Sequence, residues 1–332
     1  MSVLSVRDLG IEYQTTGGGV PAVRGVDLEV DRGEVLGLAG ESGCGKSTIA
    51  GAILRLLPAK TRITGRIELD GNDILELTPG KLRAVRWTAG SIVFQGAMHA
   101  MNPVQRIGEQ IMEPILVHGQ SGEREARIRA GTLLEQVGLP TRRLDDYPHE
   151  LSGGQKQRIM IAMALACSPS LIVADEPTTA LDVMVQAQIL ELLVGLAKDL
   201  GLALVLVTHD LPVIAQVCQR AAVMYAGEIV EAGPIDDLFH QPRHPYTRLL
   251  FAATPDLYGE EAVVSIPGAP PRLDREIVGC PFRPRCDRAF DRCVTEHPAL
   301  IPLGAGRAAA CHLNDDDRAF AGEASGAGEP SA

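Results

Sequence analysis

The residues with the clearest chemistry are Gly40, Glu41, Ser42, Gly43, Cys44, Gly45, Lys46, Ser47 and Thr48, which follow the apolar run Val35-Leu36-Gly37-Leu38-Ala39. The spacing Gly-x-x-x-x-Gly-Lys-Ser suits a loop that holds polyphosphate. A triphosphate carries too much charge for one side chain, so backbone N–H groups must wrap it. Gly40, Gly43 and Gly45 let the main chain come that close. A helix starting near Lys46 aims its positive end at the same anion. Lys46 would reach the β- and γ-phosphates, and the Ser47 hydroxyl would complete a Mg²⁺ shell. The alternative is a glycine-rich turn that happens to fit. The strand before it and the amphipathic pattern after it, with Ile49, Ile53, Leu56 and Leu57 on one side, favour a phosphate loop and hence ATP or GTP.

Three further groups are placed for the same chemistry. Leu171-Ile172-Val173-Ala174-Asp175-Glu176-Pro177 reads as a buried parallel strand ending in two acids. Asp175 can hold Mg²⁺ and Glu176 can orient or deprotonate an attacking water, against the plain reading of two solvated acids. The strand over 203–207 delivers Thr208-His209-Asp210, with His209 a γ-phosphate contact or a structural histidine and Asp210 a helix cap. Gln95, at the end of the strand Ser91-Ile92-Val93-Phe94, is placed to touch a metal-bound water or simply to end a strand. In Leu151-Ser152-Gly153-Gly154-Gln155, Ser152 is a natural N-cap and the paired glycines expose a second anion-binding helix end.

The elements that must position these groups follow from periodicity. Residues 9–13 and 20–30 read as β segments broken by Gly17-Gly18-Gly19, with Tyr13 on the first. Gly65 to Leu69 reads as a strand closing in the Asp70-Gly71 turn. From about 96 to 165 the pattern turns helical, with Ile107, Ile111, Ile115, Ile128, Leu133, Leu134 and Val137 marking the inner face. The helix after Ser152 is expected over 159–166, and a long one over 185–200.

Composition narrows the class. The chain has 332 residues, enough for one large domain plus an extension, and an ordinary apolar share of 45%. No apolar run approaches a membrane span and the start lacks a secretory core, so a cytoplasmic protein is expected. A formal net charge of −11 without a basic block argues against nucleic acid as a partner. Seven cysteines in such a chain are not a disulfide framework.

Taken in this order, the motifs resemble the ATP-binding subunit of an ABC transporter. Residues 40–48 match the Walker A loop, Gln95 the Q-loop, Leu151 to Gln155 the family signature, 171–176 Walker B, Ala180-Leu181-Asp182 the D-loop and His209 the switch histidine. Met101-Asn102-Pro103, the stretch Asp175 to Val183 and His244-Pro245-Tyr246-Thr247 resemble the oligopeptide/dipeptide importers, while Gly96-Ala97-Met98-His99-Ala100 departs from many relatives. The resemblance implies an α/β P-loop NTPase fold, with a nucleotide-binding domain over 1–232 made of a RecA-like core, an antiparallel β subdomain and a helical subdomain over about 96–165. It implies that Tyr13 stacks on adenine, that Glu176 and His209 are catalytic, and that Ser47, Gln95 and Asp175 serve Mg²⁺. It implies head-to-tail pairing, so that Ser152, Gly153, Gly154, Gln155 and Asp182 of one cassette serve ATP held by the other. The implied partners are a second ATPase subunit, a paralogue ahead of a second copy of this chain, two transmembrane permease subunits and an extracytoplasmic solute-binding protein. The implied location is the cytoplasmic face of the membrane. Di- or oligopeptide cargo comes first, with nickel chelates or oligosaccharides as alternatives. A soluble non-transport ABC ATPase and a redox-sensing module are the rivals.

Beyond Gly233 the composition shifts to Pro, Arg and turn residues, an extension over 233–313. Cys280, Cys286, Cys293 and Cys311 are separated by five, six and seventeen intervening residues, in a segment too short for a large core of its own. A metal staple is expected, against the plainer reading of free or occasionally oxidised thiols. Zinc usually takes closer Cys pairs, whereas an iron–sulfur cluster accepts wider loops, and peptide-importer ATPases with this pattern resemble carriers of a [4Fe–4S] cluster. Arg283, Arg285, Arg288 and Arg292 would offset its charge or be solvated. Cys167 and Cys218 read as core, and 314–332 as a disordered tail.

Overall fold

A computed structural model describes residues 2–94, 96, 101–119, 121–179, 181–253 and 266–315. Two long strands, β1 (Ser2–Thr15) and β2 (Gly18–Asp31), form a hairpin. The short apolar β3 (Val35–Ala39) is buried at every residue and runs into helix α1 (Lys46–Ile53). β4 (Arg62–Leu69) and β5 (Asn72–Asp73) flank the Asp70-Gly71 turn, where both residues take the positive φ that such a turn requires. β1, β2, β4 and β5 make a four-stranded antiparallel sheet in the order β2-β1-β4-β5.

The second sheet has eight strands. β6 (Gly90–Val93), β7 (Leu171–Asp175), β8 (Ala203–Val207), β3 and β9 (Arg220–Tyr225) lie parallel, and β10 (Glu228–Pro234) turns back on β9. With β11 (Ile301–Gly304) and β12 (Arg307–Ala309) from the C-terminal region, the order is β11-β12-β10-β9-β3-β8-β7-β6. Alternate residues of its central strands enter different cores. Leu36, Leu38, Val173 and Val205 pack toward α1 and the small sheet, while Ile172, Ala174, Leu204 and Leu206 pack on the opposite side.

A helical insert separates β6 from β7. It comprises α3 (Ile107–Val117), α4 (Glu123–Gln136) and α5 (Gly153–Ala164), after the short α2 (Pro79–Val85). Ile107, Ile111, Ile115, Leu133, Leu134 and Val137 are buried as the periodicity predicts, but Ile128 is 63% exposed. It falls on the outer face of α4, two positions from buried Ala126 and Ala130. Likewise α1 ends at Ile53, so Leu56 lies beyond it and is exposed. The helix after Ser152 starts six residues earlier than expected, at Gly153, because Ser152 caps it directly.

The chain continues through α6 (Val183–Leu200), α7 (Leu211–Val217), α8 (Ile235–His240) and α9 (Pro245–Ala252). The C-terminal region then returns to the main sheet. After α10 (Arg292–Thr295), β11 (Ile301–Gly304) and β12 (Arg307–Ala309) form a hairpin whose second strand pairs with β10. Asn314, in a turn of 3-10 helix, is buried and donates to the Arg243 carbonyl. The rest of the expected tail, 316–332, lies outside the described residues, as do Gln95 and Ala180. Among the described residues no helix is long and apolar enough to cross a membrane.

The two isoleucines of the insert give a direct test. Ile111→Ala is expected to lower the unfolding free energy by about 2–5 kcal/mol in urea titration, and Ile128→Ala to change it by no more than about 0.5 kcal/mol.

Candidate nucleotide site

The site forms where parallel strands end together. Register does the positioning: Leu38 of β3 and Asp175 of β7 both stand beside Val207 of β8. The loops after these three strands therefore open on the same edge of the sheet, where open α/β sheets bind ligands. Tyr13, Ser42, Gly43, Gly45, Lys46, Ser47, Thr48, Glu176 and His209 line one cleft of about 510 Å³ there, together with Val20, Ala22 and Leu273.

The loop has the backbone its glycines allow. Gly40, Gly43 and Gly45 have φ of 146°, 81° and 111°. A Cβ on Gly45 would lie 2.6 Å from the Ala22 carbonyl oxygen, and one on Gly40 would collide with that of Met224. Cys44 is buried beneath the loop, where burial raises its thiol pKa. Lys46 is 5% exposed and donates to the carbonyls of Gly40 at 2.7 Å and Glu41 at 3.0 Å. The Tyr13 hydroxyl is 3.2 Å from Thr48 Oγ1, which ties the small sheet to α1 beside the loop.

Ser47 donates to Asp175 Oδ1 at 3.0 Å. Burial pushes Asp175 above the usual carboxylate range, opposed by that hydrogen bond, while the neighbouring Glu176 adds to the rise and Lys46 opposes it. Glu176 sits at φ 44°, in the left-handed region that residues other than glycine rarely take. Its N–H donates to Val207 O at 2.8 Å, Oε1 is 3.2 Å from His209 Nδ1, and Oε2 accepts from Thr179 at 3.1 Å.

The remaining predicted residues lie elsewhere. Ser152 accepts from Gln155 N while Gln155 Oε1 accepts from Ser152 N, a reciprocal cap at the start of α5. Ser152, Gly153, Gly154, Gln155 and Asp182 are not among the residues lining the phosphate-loop cleft. A Cβ on Gly154 would approach Val185 to 2.8 Å, so the glycine lets α5 pack closely on α6. Asp182 caps α6 by accepting from Val185 N, as Asp210 caps α7.

The four C-terminal cysteines line one narrow cavity with Arg283, Arg288, His244 and His312. Burial raises the thiols of Cys280 and Cys286 and pushes Cys311 up to about 11. Gly279, at φ 70°, lets the chain pass against the Cys293 carbonyl, and Cys280 N donates to that oxygen at 2.9 Å. The staple expected from the sequence is not formed as a single-ion site: among the described residues no three His, Cys, Asp or Glu converge to hold one metal ion. The arginines also divide. Arg292 pairs with Glu296 and Asp315, and Arg285 turns away from the thiols toward Glu41.

The family described as ABC transporter matches residues 23–179, and that described as oligopeptide/dipeptide transporter, C-terminal region, matches residues 230–293. A probable peptide ABC transporter ATP-binding protein of Sinorhizobium fredii is 47% identical over 320 residues, covering 95% of this chain and 96% of the relative. This chain belongs to the peptide ABC transporter ATP-binding protein family. The dipeptide transport ATP-binding protein DppD of Escherichia coli is 44% identical, with 96% and 98% covered. A solved dimeric bacterial ABC transporter cassette superposes with a TM-score of 0.63 at 31% identity, over 70% of this chain and 98% of that one. A post-hydrolysis dimer bound to ADP and Pi gives 0.63 at 30%. The cassette fold and the ATPase class are those of the family.

For this ABC transporter ATP-binding protein, sequence reasoning missed the C-terminal contribution to the nucleotide cleft. Leu273 lines it, and Tyr246 of the His244-Pro245-Tyr246-Thr247 motif holds the phosphate loop behind it, its hydroxyl accepting from Glu41 N at 2.9 Å. Neither contact has a local signal, because each joins residues about two hundred positions apart.

Gly45→Ala is expected to cost about 1–3 kcal/mol of stability in thermal or chemical unfolding, from its left-handed φ and the contact with Ala22.

Proposed function

We propose that this chain powers the import of di- and oligopeptides by hydrolysing ATP as one of two cassettes packed head to tail. The observation that carries the reading is the division of motifs: Lys46, Ser47, Glu176 and His209 meet at one cleft, and Ser152, Gly153, Gly154 and Gln155 lie outside it. A single chain thus offers half of each of two sites. Two helix N-termini and a lysine neutralise a triphosphate better than one surface does. The dimeric state of the similar solved cassettes supports the pairing.

In this reading Tyr13 stacks on adenine, and the loop from Gly40 to Thr48 wraps the phosphates as Lys46 turns from the carbonyls of Gly40 and Glu41 toward them. Ser47 and Asp175 present oxygen donors 3.0 Å apart, a set that suits Mg²⁺. With Gln95, outside the described residues, they would hold the ion, which supplies charge neutralisation at the β- and γ-phosphates. Glu176 takes or orients the proton of the attacking water, and His209 steadies both that carboxylate and the γ-phosphate. Asp182 would act across the pair from the start of α6.

The peptide cargo follows the printed functions of the relatives and the matched C-terminal region. Nickel chelates or oligosaccharides would use the same machinery. The chain would dock on the cytoplasmic face of the membrane against two permease subunits, beside a paralogous second cassette and fed by a solute-binding protein. For the cysteine cavity we infer a [4Fe–4S] cluster, a reading supported by the four thiols that line one narrow cavity. Cys280, Cys286, Cys293 and Cys311 would hold such a group, which would serve as a staple. Residues 1–232 would then form the cassette and 233–313 the region that carries the cluster.

Glu176→Gln in the assembled transporter is expected to keep ATP affinity within about twofold while turnover falls by about 10²–10⁴; turnover at the wild-type rate would remove Glu176 from the mechanism. Anaerobic purification should give a brown protein containing iron and acid-labile sulfide, and Cys286→Ser should lose both. Zinc in a colourless protein would replace the cluster.

A further inference from the structure

Glu41 is the first residue inside the Gly-x-x-x-x-Gly-Lys-Ser loop, and it is held at three points. Its N–H donates to Tyr246 Oη at 2.9 Å, its carbonyl accepts from Lys46 at 3.0 Å, and its carboxylate takes both arms of Arg285, at 2.6 and 2.8 Å. Arg285 comes from the cysteine-bearing region, one residue before Cys286, and is only 6% exposed. Its Nε donates to Pro267 O at 2.7 Å, and Nη1 reaches Tyr225 Oη at 3.3 Å. Tyr225, Tyr246 and Phe282 are fully buried and pack edge to face or tilted against one another beside it. The segment that Arg285 grips at Pro267 continues to Leu273, which lines the nucleotide cleft.

We propose that Arg285 is a positioning residue of the nucleotide site: through Glu41 it sets the phosphate loop from outside the loop's own cassette sequence. A two-pronged guanidinium–carboxylate pair fixes orientation as well as distance, and burial protects it from screening by salt. Glu41 supplies a peptide group on each side of its Cα to the loop that must wrap the phosphates. A tilt of its side chain would therefore turn those N–H and C=O groups directly. The C-terminal region thus becomes a working part of the ATP site rather than an appendage to it. This rests on the assignment of ATP to the phosphate-loop cleft.

The test is a double-mutant cycle on the full-length chain, reading the Kd for MgATP by titration and, in the assembled transporter, KM and kcat separately. Glu41→Gln and Arg285→Gln are each expected to weaken ATP binding about tenfold, with KM changed more than kcat, and the double variant to be no weaker than the worse single one. Arg285→Lys, which keeps the charge and loses the fork, should fall with the Gln variants and not with wild type. Should Arg285→Gln fail to fold, Glu41→Gln, close to isosteric and placed in the cassette itself, decides alone. Variants that melt with wild type and bind ATP within twofold of it would overturn the inference, as would effects that simply add. A wild-type chain that does not bind ATP would instead overturn the site assignment on which it rests.

Discussion

A buried ammonium is the constraint from which the rest of the nucleotide cleft follows. Lys46 lies almost out of solvent at the start of α1, and a charge there is costly unless polar groups meet it. The loop meets it with the carbonyls of Gly40 and Glu41, which only a left-handed backbone at the flanking glycines can turn inward. The loop in turn needs a rigid base. β3 provides this, a five-residue strand buried throughout, with parallel neighbours on both sides and different cores above and below. An anion entering the cleft would therefore meet donors whose ordering cost was met during folding.

Glu176 carries the complementary strain. Its left-handed backbone costs on the order of 1–3 kcal/mol and persists only where neighbours over-determine it. Here the N–H is pinned to β8 and the carboxylate lies between Thr179 and His209. The parallel register that sets Asp175 beside Val207 also sets Glu176 and His209 within reach of each other. Sheet pairing, a backbone property, thus delivers two side chains that are 33 residues apart in sequence to a common point.

The legible parts of the sequence are those in which local rules and tertiary packing agree. The phosphate loop, the acids after β7, the caps at Ser152 and Asp210, and the buried faces of α3 and α4 are all written in short spacings. Ile128 misleads because an apolar residue on a helix surface is common and spacing alone does not tell the two faces apart. The C-terminal region was opaque for a different reason. Its turns and prolines signal loops, but β12 completes the main sheet by pairing with β10, and no local pattern announces a partner strand more than seventy residues away. Four arginines near the cysteines look alike in sequence, yet Arg285 is buried against Glu41 while Arg288 is exposed.

That opacity has a physical origin in size. The stretch from 266 to 315 has too few apolar residues to close a core, so it borrows one: Phe282 inserts between Tyr225 of β9 and Tyr246 of α9, and Ile301 and Ala309 extend the sheet. A segment folded in this way has its stability tied to the cassette it leans on. The coupling runs in both directions. Whatever orders the loops around Cys280, Cys286, Cys293 and Cys311 also orders Phe282 and Arg285, which stand between the first two of them. Because Arg285 ends on Glu41, the cysteine-bearing loops and the phosphate loop share one ion pair, and the packing that fixes one bears on the other.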